Sequence, residues 1–232
     1  MAQPTLWAAV VLNLLGFALH LVALRELPLY LAQAAISASL VVTAVLAVAF
    51  FKNHLAAAEW LAVGAVAAGL ASLTIAAGKP GAASPHVTLT AALVVAVVLI
   101  AAAATYVSHI DGTPATMILG ALAGTAFAGV SIAARLLPDG GLDKLATAPA
   151  TYVLPLGGAL GFGIFSLALQ RGSVTNVTAP MIVLQTLAPA LVGVTILDDG
   201  VREGALTVAA FGLALTVAGA VVLGRFDAVR QA

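Results

Sequence analysis

Cysteine is missing from all 232 residues, and that omission alone removes disulfide bridges, thiolate metal ligands and thiol redox chemistry. Charge is scarce too. Nine basic and nine acidic side chains, 8% of the chain, cancel to a formal net charge of zero. A nucleic-acid surface needs clustered Lys and Arg that release counterions. No basic run exists here, so nucleic acid is not an expected partner. No acid/base pair, nucleophile triad or metal cluster emerges from the pattern, so neither an enzyme nor a cofactor or metal site is expected.

What the chain has in excess is apolar surface. Hydrophobic residues make up 62% of it, against roughly 45–50% in a soluble domain, and mean hydropathy is +1.16. A helix needs ~20 mostly apolar residues to cross a bilayer. Eight such stretches fit, at 5–24, 30–51, 59–77, 87–108, 114–137, 151–170, 177–197 and 205–224. Nearly all the charges fall between them. The first stretch has no basic leader and is longer than a signal-peptide core, so it reads as a retained span. Trp7, Tyr30, Phe50, Phe51, Trp60, Tyr106 and Tyr152 lie near span ends, where amphipathic rings meet headgroups. Alternating strand patterns are lacking, which disfavours a β-barrel. The expected fold is all-α, a polytopic transmembrane helical bundle of about eight spans with the lipid bilayer as its solvent.

The chain repeats itself. LGFALHLVALREL at 15–27 returns as LGFGIFSLALQRG at 160–172. With one residue added in a loop of the second copy, spans one to three match spans six to eight. Each matched pair is offset by five spans, an odd number, so the two members cross in opposite directions. This is the pattern of inverted repeats, which let two equivalent halves open a central site alternately to either side. The chain therefore divides into a first, three-helix repeat at 1–82 and a second, five-helix repeat at 83–232, forming one integrated membrane domain. Counterparts of the fourth and fifth spans are lacking from the first repeat.

The paired runs LGFALHLVALRELPLYLAQAAISASLVVTAVLA and LALQRGSVTNVTAPMIVLQTLAPALVGVTILDDGV, with the helices that follow each, resemble the drug/metabolite transporter superfamily, EamA type. The resemblance implies two inverted five-helix repeats in a plasma or inner membrane, both termini cytoplasmic, with a cavity between the repeats. Members mostly export metabolites, drugs or amino acids, or exchange nucleotide sugars or sugar phosphates. The Gly-Glu pair usual in such repeats is replaced here by Lys52 and Asn53 in one copy and by Asp198 and Asp199 in the other. Charge alone leaves the orientation open, since the basic residues divide almost evenly between the two faces.

No Asp, Glu, Lys or Arg lies near the middle of a span, where such a residue would normally mark an ion path. Magnesium or other hard-cation transport, which wants carboxylate oxygens, therefore ranks behind an organic solute. Candidate substrate contacts are the polar residues inside the spans. Asn13 and His20 share a stripe with Gly16 on the first helix, and Gln33 and Ser39 lie on the second. Gln185 lies on the seventh, flanked by Pro180 and Pro189, which each remove a backbone donor and mark expected helix breaks. Bland alternatives stand beside these: a snorkelling histidine, interhelical hydrogen bonds and simple kinks. Gly120, Gly124 and Ala128, and Gly157 with Gly161, read as packing seams. Asp111 reads as a helix cap, or with His109 as half of a metal pair.

The expected function is a secondary transporter that moves a small organic solute or metabolite, in the export direction, by alternating access. The alternative is a non-transporting membrane subunit, or one completed by a partner. A homodimer or a partner subunit fits the shortened first repeat.

Overall fold

A computed structural model of the chain describes residues 4–51, 56–81, 86–138 and 141–230. The helices are α1 (Pro4–Glu26), α2 (Leu29–Phe51), α3 (Ala57–Ala76), α4 (Val87–Val107), α5 (Thr113–Arg135), the short α6 (Leu142–Thr147), α7 (Pro149–Arg171), α8 (Val174–Thr195) and α9 (Leu206–Arg230). The structure is 84% helix. Among the described residues the only strand-like pairing is a single antiparallel bridge between Ala77 and Val201.

Among the described residues, six helices are long and apolar enough to cross a membrane: α3, α4, α5, α7, α8 and residues Leu206–Leu223 of α9. The chain is a multi-pass, membrane-embedded helical protein. Its outward face agrees. Val94, Val98 and Leu99 on α4, Leu156 and Phe162 on α7, and Phe211 on α9 are all exposed, an apolar surface suited to hydrocarbon rather than water. α1 and α2, each 23 residues long, occupy the positions of the first two expected spans.

Long-range contacts fix the direction of each helix. At one end, Arg135 bonds to Leu24 and Leu27, Leu29 bonds to Asp199, and Arg202 bonds to Ala76. The C-terminal ends of α1, α3, α5 and α8 therefore gather there with the N-terminal ends of α2 and α9. At the opposite end, Arg171 at the close of α7 bonds to Ser108 and Asp111, between α4 and α5. Hence α1 and α7, α2 and α8, and α3 and α9 run antiparallel to each other.

α5 is the centre of the bundle. It packs against both α7 and α8, and its buried face includes Leu119, Gly120, Ala123, Gly124, Ala126 and Ala128. The backbones come close because the side chains there are small. A Cβ added at Gly120 would overlap the carbonyl of Val177, and one at Gly124 that of Met181. The seam expected at Gly157 and Gly161 on α7 meets Val130 and Phe127 of α5. α3 and α9 make a second close pair, in which Gly69 lies against Gly212 and Thr216, and Gly219 against Ala62 and Val66.

Two local expectations change. Asp111 does not cap α5. The cap is Gly112 at φ +106°, a conformation glycine adopts without strain, with proline in the first turn. Asp111 instead accepts from Arg171 at 2.9 Å. The helix breaks expected at Pro180 and Pro189 are not seen, because α8 runs as one helix from Val174 to Thr195 through both rings. Packing supplies the reason: Pro189 is fully buried, and α5, α9 and α2 hold α8 on three sides. Each proline still deletes a donor, so the carbonyl of Gln185, four residues before Pro189, lacks its usual helical partner.

Candidate functional site

Three hollows differ in what their walls have left to offer. The largest, about 330 Å³, lies between α4 and α7. Its hydroxyls are already used, Thr105 bonding back to Ala101 O and Ser108 to Thr105 O. A second, about 290 Å³, is apolar except for Tyr30 and Thr195, and these also bond to backbone, at Gly200 O and Leu191 O. A third, about 200 Å³, is lined by Gln33, Ile36, Ser37 and Ser39 of α2, by Thr178, Met181, Ile182, Gln185 and Thr186 of α8, and by Ala220 of α9. Its polar groups are largely unspent.

Gln33 sets the character of this cavity. It is 1% exposed. Its Nε2 donates to the hydroxyl of Ser131 on α5, and that hydroxyl in turn donates to Phe127 O at 3.2 Å. With the Ser131 proton committed, only the NH₂ edge of Gln33 can face it, which turns the Gln33 carbonyl the other way. Among the described residues that Oε1 has no partner, and neither has Thr178 Oγ1. A buried polar atom left unpaired costs about 1–3 kcal/mol. Two such atoms on the walls of one cavity are a feature expected of a binding site rather than of plain packing.

Three of the five expected substrate contacts, Gln33, Ser39 and Gln185, therefore come together. Ser39 donates to Ile36 O at 2.7 Å, so its proton is used within its own helix. Gln185 is half-buried near the middle of α8. His20 is half-buried on α1 and does not line the cavity. Asn13 lies on α1, and its side chain falls outside the described ones, as do Lys52 and Asn53 altogether.

Beyond Gln33 the bundle is closed by a charged clasp that the pattern of spans did not reveal. Arg135 and Asp199 form an ion pair at 2.7 Å with neither side chain exposed. Arg135 also donates to Leu24 O at 2.6 Å, Leu27 O at 2.5 Å and Gly81 O at 3.0 Å. Asp199 accepts from Leu29 N at 2.6 Å and Gly81 N at 2.8 Å. Both charges belong to residues 83–232, whereas every backbone partner named here belongs to residues 1–82. The clasp thus ties residues 1–82 to residues 83–232. Around it, Gly78 N donates to Gly200 O and Gly200 N to Lys79 O, knitting the loop after α3 to the loop after α8.

The cavity leads away from this clasp. Thr178 lies only one turn from the start of α8, ~6 Å along its axis at 1.5 Å per residue, and so lies toward the opposite end of the bundle. The chain matches no family model, no curated protein and no solved structure.

Proposed function

We propose that the chain is a secondary carrier that moves a small organic solute across a plasma or inner membrane by alternating access, in the export direction, as its resemblance to EamA-type drug/metabolite transporters implies. The observation that carries this reading is the meeting of Gln33, Ser39 and Gln185, from the repeat-matched helices α2 and α8, in one polar cavity inside an apolar bundle. Eight spans follow if α1 and α2 cross as the six apolar helices do. The inverted-repeat reading draws support from helix direction, since all three matched pairs run antiparallel. It also draws support from pairing, because α2 packs on α3 as α8 packs on α9. With both termini in the cytoplasm, the cavity faces the cytoplasm and the Arg135–Asp199 clasp shuts the far side. Release outward then requires the repeats to part at the clasp and close at the other end.

The test is flux. Proteoliposomes of the purified full chain, offered radiolabelled small polar metabolites, should accumulate at least one above empty liposomes. Gln185→Ala should abolish that accumulation with the folded fraction unchanged. Wild-type flux in Gln185→Ala, or no flux of any compound in the wild type, removes the reading.

A subunit completed by a partner is a second reading, favoured by one observation. Leu12 and Leu19 on α1 are exposed, and Gly16 between them meets nothing within 4 Å, while their matches on α7, Gly157, Gly161 and Ile164, are buried under neighbouring helices. Cysteine placed at Leu12 or Leu19 in this cysteine-free chain should then crosslink in native membranes to a second polypeptide. A chain that stays monomeric under such crosslinking while still transporting removes this alternative.

A further inference from the structure

We infer that the cavity between α2 and α8 selects an uncharged solute that donates hydrogen bonds, a hydroxyl- or primary-amide-bearing molecule of modest size. This deepens the carrier reading and rests on it for the claim that the solute is carried. The recognition chemistry itself is read from the cavity walls.

Charge is decided first. Among the described residues, no Asp, Glu, Lys or Arg lines the cavity. The buried charges Arg135 and Asp199 are committed to each other and to backbone groups, and buried Glu59 accepts from Ala56 N. An ionised solute would find no counter-charge inside the apolar bundle, where an unpaired charge is costly.

Polarity is decided by which groups are already used. The Nε2 of Gln33 is held by Ser131, and the hydroxyl proton of Ser39 by Ile36 O. What remains includes Gln33 Oε1, which can only accept, and the Thr178 hydroxyl, which can accept or donate, neither with a partner among the described residues; the Gln185 backbone carbonyl, which Pro189 leaves without its helical donor, is a further group that can only accept. A solute that brings N–H or O–H groups satisfies Gln33 Oε1 and the Gln185 backbone carbonyl, and one that brings only acceptors can be met by the Thr178 hydroxyl but leaves those two stranded. Size follows from volume. At ~30 Å³ per water in the liquid, the 200 Å³ present here holds about seven waters, hence a solute of roughly ten non-hydrogen atoms.

Isothermal titration of the detergent-purified full chain tests this with probes built on one phenyl ring: benzamide, N,N-dimethylbenzamide, benzoate and benzylammonium. Benzamide should bind at least about tenfold more tightly than the other three, since a site built around hydrogen bonds rejects an analogue that lacks them. Gln33→Leu should reduce benzamide to the level of its dimethyl analogue. Should Gln33→Leu fail to fold, Ser131→Ala serves in its place. It frees the Gln33 amide to turn either edge to the ligand, so preference for benzamide over the dimethyl compound should shrink to about twofold or less. Equal binding of all four probes, tighter binding of benzoate or benzylammonium, no binding of benzamide, or unchanged selectivity in Ser131→Ala would each overturn the inference. Benzamide binding without solute flux in any proteoliposome assay would leave it standing and remove the carrier reading. Flux confined to charged compounds would do the reverse.

Discussion

The guanidinium of Arg135 and the carboxylate of Asp199 meet at 2.7 Å, wholly shielded, where the ends of α1, α2, α3, α5 and α8 converge. Taking two charges out of water is unfavourable, and the pair survives burial because backbone groups supply most of its hydrogen bonding, Arg135 Nε alone being left without a partner among the described residues. Four of the five guanidinium N–H positions are engaged by Leu24, Leu27, Gly81 and Asp199, and both carboxylate oxygens accept from backbone amides. Removing either partner strands the other. Arg135→Ala and Asp199→Ala should therefore each cost about 3–5 kcal/mol, read as a large fall in the unfolding midpoint in detergent. The double variant should lose less than the sum, because the two residues share one network. Single variants that melt with the wild type would show the pair to be dispensable.

Asp199→Asn separates charge from shape. The amide keeps an oxygen for Leu29 N or Gly81 N but gives up the ionic attraction to Arg135, so the clasp should loosen without collapse. In this cysteine-free chain, a cysteine at buried Leu197 reports the event. Its labelling by a membrane-impermeant maleimide from the clasp side should rise several-fold in the Asp199→Asn background. Equal labelling in both backgrounds would mean that the clasp does not bar that end.

The glycines divide into two sets with opposite expected outcomes. Gly120 and Gly124 leave no room for a Cβ, since the backbone of α8 occupies it. Gly120→Ala and Gly124→Ala should each destabilise by about 1–3 kcal/mol through overpacking. Gly16, Gly158 and Gly163 face open space. Alanine there should be neutral or stabilising by up to about 1 kcal/mol, the usual helix-propensity gain. Midpoints of thermal unfolding across the five variants check both halves, and a ranking that ignores the division would undo the packing described for α5 and α8.

How much of this was legible depended on the range of the interaction. Helices were readable because apolar runs of membrane length stand between Gly, Pro and charged turns, a local signal. Gln33, Ser39 and Gln185 stood out because polar residues inside such runs are few, although nothing local said that they share one cavity. The continuity of α8 through Pro180 and Pro189 was not legible, since neighbouring helices impose it. Arg135 was hidden by position. At the end of a span, an arginine reads as an interfacial charge, and only the two leucines after it, Leu136 and Leu137, hinted that it lies inside the apolar run. Asp199 was noted merely as the residue at a motif position. Their pairing spans 64 residues, and no periodicity in the chain encodes it.

Topology offers the most economical trial of the whole arrangement. The C-terminal end of α1 lies by the clasp, while the C-terminal end of α7 lies at the other end beside Asp111, a relationship set by α5, whose two ends touch them both. Leu27 and Ser173, just beyond those helix ends, are exposed and tolerate a reporter without disturbing the core. Single cysteines at each, probed in oriented membrane vesicles with an impermeant maleimide, should label from opposite faces: Ser173 from the cytoplasmic side and Leu27 from the outside. Labelling of both from one face would mean that α1 and α7 do not cross in opposite senses. The matched helices α2 and α8 would then share one direction, no exchange of roles between the repeats could open the cavity alternately, and the polar groups of Gln33 and Gln185 would need another explanation.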